Sequence, residues 1–162
     1  MIRKAIWIAA VLTFTIMMAA CGTSSQTDEQ TETTAETQEA TAEMEMYIGD
    51  QPVQVQWETN DAVNALKEKV QEETLIIDMS MYSDFEQVGE LGFDLPANDK
   101  QIQTKAGDIM LYAGDKIVVF YGTNSWDYTP LGKIQDKSPE ELAELLGNGD
   151  VSITLQDSMS SN

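Results

Sequence analysis

Between Gly22 and Glu45 the chain reads GTSSQTDEQTETTAETQEATAEME, without one aromatic or branched aliphatic residue. Seven acids and no base stand in that segment, so it cannot bury enough apolar surface to offset the entropy of ordering it. It is expected to be a disordered, self-repelling tether. Any hydrophobic core is thereby confined to the remainder of the chain, from about Met44 to about Gln156, roughly 110 residues and enough for one modest domain.

Ahead of the tether, Arg3 and Lys4 precede an uncharged, largely apolar run from Ala5 to Met18, which closes on Ala19, Ala20 and Cys21. Charged, apolar and small-residue regions in that order read as a secretory leader. The run is short for a permanent span, which needs ~20 apolar residues. The placement of Cys21 directly after two alanines resembles the lipobox of bacterial lipoproteins, with Met18 where that family usually has leucine. The resemblance implies cleavage after residue 20, lipidation of Cys21 with acyl chains such as palmitate, and a protein held at the cell membrane on its extracytoplasmic face. A mature chain of this kind keeps no free thiol, which excludes disulfides and thiol catalysis.

Loss of residues 1–20 leaves seven basic against 28 acidic residues, so the formal charge moves from −19 to −21. Such a surface repels phosphate backbones and anionic headgroups alike. No nucleic-acid partner is expected, and the lipid rather than surface charge is the expected hold on the membrane. The domain is expected to be a monomer.

Met44, Met46 and Ile48 alternate with Glu45, Tyr47 and Gly49, and after Gly49-Asp50-Gln51-Pro52 the residues Val53, Val55 and Trp57 alternate with Gln54, Gln56 and Glu58. Two period-two runs around a tight turn predict a β-hairpin. Thr59 or Asn60 caps a predicted helix from about Asp61 to Glu72, with Ala62, Val63, Leu66 and Val70 on one face. Leu75–Met79 reads as a strand. Residues 81–108 show little periodicity and read as a long loop. Ile109–Tyr112 and Lys116–Tyr121 flank Ala113-Gly114-Asp115, a hairpin signal. Pro130–Gln135 and Val151–Leu155 read as further strands. Between these two, Ser138, Pro139 and Glu141 form a capping box that opens a short helix with Leu142, Leu145 and Leu146, stopped by Gly147. Residues 157–162 read as a disordered tail.

Short strands with two helices among them predict a mainly antiparallel, partly closed barrel, with an open α+β sheet as the alternative. The segments MYSDFEQVGELG (81–92) and LPANDKQIQTKAGDIMLYAGDKIVVFYGTNSWDYTPLGKI (95–134) are similar to the bacterial cyclophilin-like family. The similarity covers residues 46–156 and is most specific at Gly107–Gly114 and Phe120–Ile134. It implies a mainly β fold, a cyclophilin-like closed antiparallel β-barrel with two helices and a cleft on the barrel's side. The chain then divides into a leader (1–20), the acidic tether (21–45), the barrel domain (46–156) and the tail (157–162).

Tyr82, Phe85 and Gln87, with Phe120, Tyr121, Asn124, Trp126 and Tyr128, are the candidate lining of that cleft. Rings edged by a few amides and hydroxyls suit a peptide or small ligand. For each ring the competing reading is plain core filling. Prolyl isomerisation is the enzymatic alternative, but in cyclophilins an arginine is understood to assist the twisting amide, and here the single arginine is Arg3. Lys100 or Lys105 could donate, without arginine's rigid fork. The chain lacks histidine as well, so the common hydrolytic pairings are missing. No catalytic residue and no cofactor is assigned. Asp84, Glu86, Asp94 and Asp99 could offer oxygens to calcium but follow no EF-hand spacing, and a solvated acidic surface explains them.

Overall fold

The structure, a computed structural model, describes residues 43–160. The leader, Cys21 and nearly all of the tether lie outside the described residues. The elements run β1 (Met44–Ile48), β2 (Gln51–Val53), β3 (Val55–Trp57), α1 (Asp61–Glu72), β4 (Leu75–Tyr82), β5 (Glu86–Glu90), β6 (Lys100–Gln103), β7 (Asp108–Tyr112), β8 (Lys116–Phe120), β9 (Ser125–Ile134), α2 (Pro139–Leu146) and β10 (Val151–Asp157). A 3-10 turn, Ser158–Ser160, comes next, so order runs past the point where the sequence suggests a tail. Ser158 N–H donates to Glu43 O there at 2.9 Å.

The strands pair antiparallel in the order β2-β1-β10-β4-β5-β8-β7-β9-β3, and β6 pairs separately with β9. The two edge strands of this path, β2 and β3, are joined by Gln54 alone, so the sheet curls round until its ends nearly meet. Across the seam the Trp57 indole N–H donates to Met44 O at 2.8 Å. This nearly closed barrel removes most of the exposed sheet edge and decides against the open α+β sheet.

Both helices form where the sequence places them. Asn60 is the cap of α1: its side chain accepts from Val63 N–H at 2.9 Å and donates to Pro130 O at 2.8 Å. One side chain thus starts the helix and ties it to β9. Ala62, Val63, Leu66 and Val70 are buried. In α2 both halves of the capping box are present between Ser138 and Glu141, and Leu142 and Leu146 are buried.

Three sequence expectations are corrected. The run Val53–Trp57 is not one hairpin strand. Gln54 donates its N–H to Asp136 Oδ1 and accepts from Gln135 N–H, which turns the chain so that β2 pairs with β1 and β3 with β9. The stretch 81–108 is not a loop throughout, since it contains the end of β4, all of β5 and all of β6. Ser83 and Asp84, at φ +50° and +56°, make the tight β4–β5 turn. The strand expected from Pro130 begins already at Ser125.

Candidate functional site

A strand sends alternate side chains to opposite faces, and this parity separates two cores. Ile109 and Leu111 of β7, Ile117 and Val119 of β8 and Gly89 of β5 belong inside the barrel, where the main cluster gathers. Gly89 is required there, because a Cβ would come within 2.6 Å of Ile77 Cγ2 and 3.1 Å of Asp78 O. Met110, Val118, Phe120 and Tyr128 form a second, smaller cluster on the other face of these strands, with Phe85, Val88 and Ile102 packed against it.

Over that second cluster opens a cavity of about 420 Å³ lined by Tyr82, Glu86, Val88, Tyr112, Lys116, Val118, Asn124, Trp126 and Tyr128. Glu86, Val118 and Tyr128 are buried and make its floor, whereas Tyr82, Tyr112 and Trp126 are exposed at its rim. The Tyr128 ring meets Phe120 edge-on at 5.5 Å between centroids and Tyr112 at 6.0 Å. Tyr82 stands edge-on to Phe85 at 6.4 Å.

Of the eight residues expected to line the cleft, Tyr82, Asn124, Trp126 and Tyr128 do line the cavity. Phe85 and Phe120 support it from below. Gln87 and Tyr121 are elsewhere. The buried Gln87 amide donates to Leu146 O at 2.6 Å and Gly149 O at 2.8 Å, joining β5 to the end of α2. Tyr121 packs against the main core. Its backbone N–H and that of Gly122 both donate to Phe85 O, at 3.0 and 2.9 Å. A Cβ on Gly122 would lie 2.7 Å from Phe85 Cβ, so glycine permits this close approach.

Glu86 occupies the place the sequence reading gives to Gln87. The two differ by one position, which on a strand means the opposite face. The register confirms it: Glu86 pairs with Phe120 of the outer cluster, Gln87 with Val119 of the inner one. Glu86 is 6% exposed, and its Oε2 has no hydrogen-bond partner. Burial pushes its carboxyl up to about 7, although the Asn124 side chain beside it pulls the other way. At neutral pH the group is therefore divided between acid and carboxylate. Burial, reinforced by the nearby charge of Glu86, pushes the Tyr128 hydroxyl up to about 12.

Asn124 is held from behind by the buried Thr104. Thr104 Oγ1 accepts from Asn124 N–H at 2.9 Å and donates to Asn124 O at 3.2 Å, and Thr104 N–H donates to the same carbonyl at 2.8 Å. The Asn124 amide then donates to the Tyr128 hydroxyl at 3.0 Å, and its Oδ1 accepts from Ser125 N–H at 2.8 Å. Tyr128, having accepted, keeps its own O–H to donate.

Among the described residues Lys116 is the one basic side chain on the cavity, and Asp115 Oδ1 at 2.7 Å and Glu90 Oε1 at 3.4 Å hold its ammonium. Lys100 and Lys105 do not line the cavity. The four acids considered for calcium do not converge: Asp84 lies in the β4–β5 turn, and Asp99 accepts from Thr129 Oγ1 at 2.6 Å. Among the described residues no group of three or more acidic, histidine or cysteine side chains could hold a metal ion. Nothing local in the sequence marks Val88, Tyr112, Lys116 and Val118 as lining; only their parity with Glu86 does, once β5, β7 and β8 are paired.

A nearly closed antiparallel barrel, two helices packed on its core and a cleft on the outer face of β5, β8, β7 and β9 define a small barrel protein with a lateral site. The chain belongs to the cyclophilin-like family, whose sequence model matches residues 46–156. Comparisons with curated proteins and with solved structures gave no match.

Proposed function

We propose that this is a lipid-anchored, extracytoplasmic cyclophilin-like module that holds a peptide or small ligand in its lateral cleft without catalysing a reaction. The observation that carries the reading is the lining of the cleft, where exposed rings surround a buried floor that offers one carboxyl and one hydroxyl, with the half-buried Asn124 amide beside them. Apolar walls with a few convergent polar groups are the usual make-up of such sites. Anchoring rests on the lipobox-like run ending at Cys21.

Non-catalysis rests on chemistry. Lowering the ~18–20 kcal/mol barrier of amide rotation calls for a strong donor aimed at the prolyl nitrogen. The chain's only arginine is Arg3, in the leader, and the ammonium of Lys116 is already shared by two carboxylates. Isomerisation of exported proteins is the alternative function, and a chymotrypsin-coupled proline-isomerisation assay separates the two. The expected rate is that of the uncatalysed reaction; a rate well above it overturns the non-catalytic reading.

Binding is tested by following the amide resonances of Tyr82, Asn124 and Trp126 during titration with proline-containing peptides. Shifts confined to these residues and their neighbours are expected, and unmoved resonances sink the peptide version. Anchoring is tested by Cys21→Ala, which should release the protein from membranes or leave the precursor uncut. Retention on membranes at the same mature mass rules the lipid anchor out.

A further inference from the structure

We propose that the cleft selects an organic cation, an alkylammonium or guanidinium group, with Glu86 as its counter-ion and Tyr82, Tyr112 and Trp126 as the rings around its stem. This rests on the lateral cleft being a binding site and adds the chemical class of what it binds.

Glu86 is the starting point. A buried carboxyl oxygen without a hydrogen-bond partner is costly to the fold, and Glu86 Oε2 is such an atom, on a residue that lines an open cavity. Among the described residues two other buried side-chain atoms lack partners, Gln87 Oε1 and Tyr121 Oη, but neither residue lines the cavity. Among the described residues, then, Glu86 is the one cavity-lining residue with a buried, unpartnered side-chain acceptor. An acceptor asks for a donor, and a cation satisfies it more strongly than a neutral N–H does.

The walls favour the same class. Tyr82 is 60% exposed and Trp126 58%, and both line the cavity with Tyr112 and Tyr128. Electron-rich ring faces attract ammonium and guanidinium groups. The long-range field agrees, since the whole chain carries a formal charge of −19, which draws cations and repels anions. Lys116 does not oppose this, because Asp115 and Glu90 offset its charge locally. A cavity of about 420 Å³ has room for a lysine or arginine side chain or one arm of a polyamine.

The test is calorimetric titration of the full chain in non-ionic detergent, with Trp126 indole and Asn124 amide resonances reporting location. The probes are Nα-acetyl-lysine amide with its neutral counterpart Nα-acetyl-norleucine amide, Nα-acetyl-arginine amide with Nα-acetyl-citrulline amide, and spermidine. Each cation should bind at least tenfold more tightly than its neutral counterpart, with both reporter resonances moving. Glu86→Gln should erase that preference while leaving the neutral probes within about twofold. Trp126→Ala, at an exposed rim position, should weaken the cations severalfold without perturbing the fold. Tighter binding of spermidine than of the amino-acid amides would assign a free polyamine, and the reverse order a basic peptide side chain. Neutral probes that bind as tightly as the cations, or a preference that survives Glu86→Gln, overturn the cation assignment and leave the cleft reading intact. The cation assignment is likewise overturned, and the cleft kept, if no cation moves the reporters but proline-containing peptides do. Reporters unmoved by every probe overturn both.

Discussion

The Asn124 amide donates to the Tyr128 hydroxyl at 3.0 Å, which couples the loop after β8 to the floor of the cleft. Tyr128→Phe keeps the ring that packs on Phe120 and Tyr112 and removes only the hydroxyl. The half-buried Asn124 donor then loses its partner, at a cost of about 1 kcal/mol. Denaturant unfolding should show that loss with an unchanged slope. A loss above about 3 kcal/mol would mean that the hydroxyl does more than accept this bond.

Thr104 should matter more than Tyr128, although it does not itself line the cavity. Its hydroxyl both donates to and accepts from the Asn124 backbone, inside the protein. Thr104→Val preserves shape and leaves the Asn124 N–H and one lone pair of its carbonyl unsatisfied, so about 1–3 kcal/mol should be lost. Faster amide exchange at Asn124 and Ser125 is the specific signature. Exchange unchanged at both positions would refute a clamping role.

The sequence makes legible whatever local chemistry decides. Asn60, Ser138 and Glu141 announce their helices because the cap bonds are made within one turn of chain. The split of Val53–Trp57 is hidden, because both pieces share one alternation and the change of partner depends on Gln135 and Asp136, about eighty residues away. β5, with the sequence EQVGE, resembles loop because its buried positions include a glutamine and a glycine. Their reasons for burial are tertiary: the carbonyls at the end of α2 that Gln87 meets, and the lack of room beside Ile77 that admits only glycine.

The same cause explains the site. Rings and amides point to four of the cleft residues, but the acid at its floor reads from sequence only as a possible metal ligand. Choosing between Glu86 and Gln87 needs the strand's parity, and parity is visible only once β5 is paired with β8.

The β7–β8 turn carries a correctable strain. Gly114 sits at φ +82°, as its sequence context predicts, and Ala113 beside it sits at φ +54°. Alanine in the left-handed region costs roughly 1 kcal/mol, whereas asparagine tolerates it. Ala113 is exposed, so Ala113→Asn meets no packing conflict. It should raise the unfolding free energy by about 0.5–1 kcal/mol. No gain, or a loss, would show that the turn is not limited by this residue.

Glu86 should make the fold less stable as pH rises through the neutral range. Its carboxyl titrates near 7 in the fold against an ordinary 4.5, so the folded state binds the proton more tightly than the unfolded chain. The resulting stability is fully present below about 4.5 and is lost as pH climbs to about 7, amounting to about 3 kcal/mol. The groups disposed around it do not cancel this: Lys116 is taken by Asp115 and Glu90, burial pushes the Tyr121 and Tyr128 hydroxyls above their ordinary range, and Asn124 does not titrate. Glu86→Gln removes the titration while keeping the shape. The variant should gain on the wild type by about 2–3 kcal/mol between pH 5 and pH 8, read from denaturant unfolding at each pH. A difference between the two proteins that stays constant over that range would show that the fold does not favour the protonated Glu86 carboxyl.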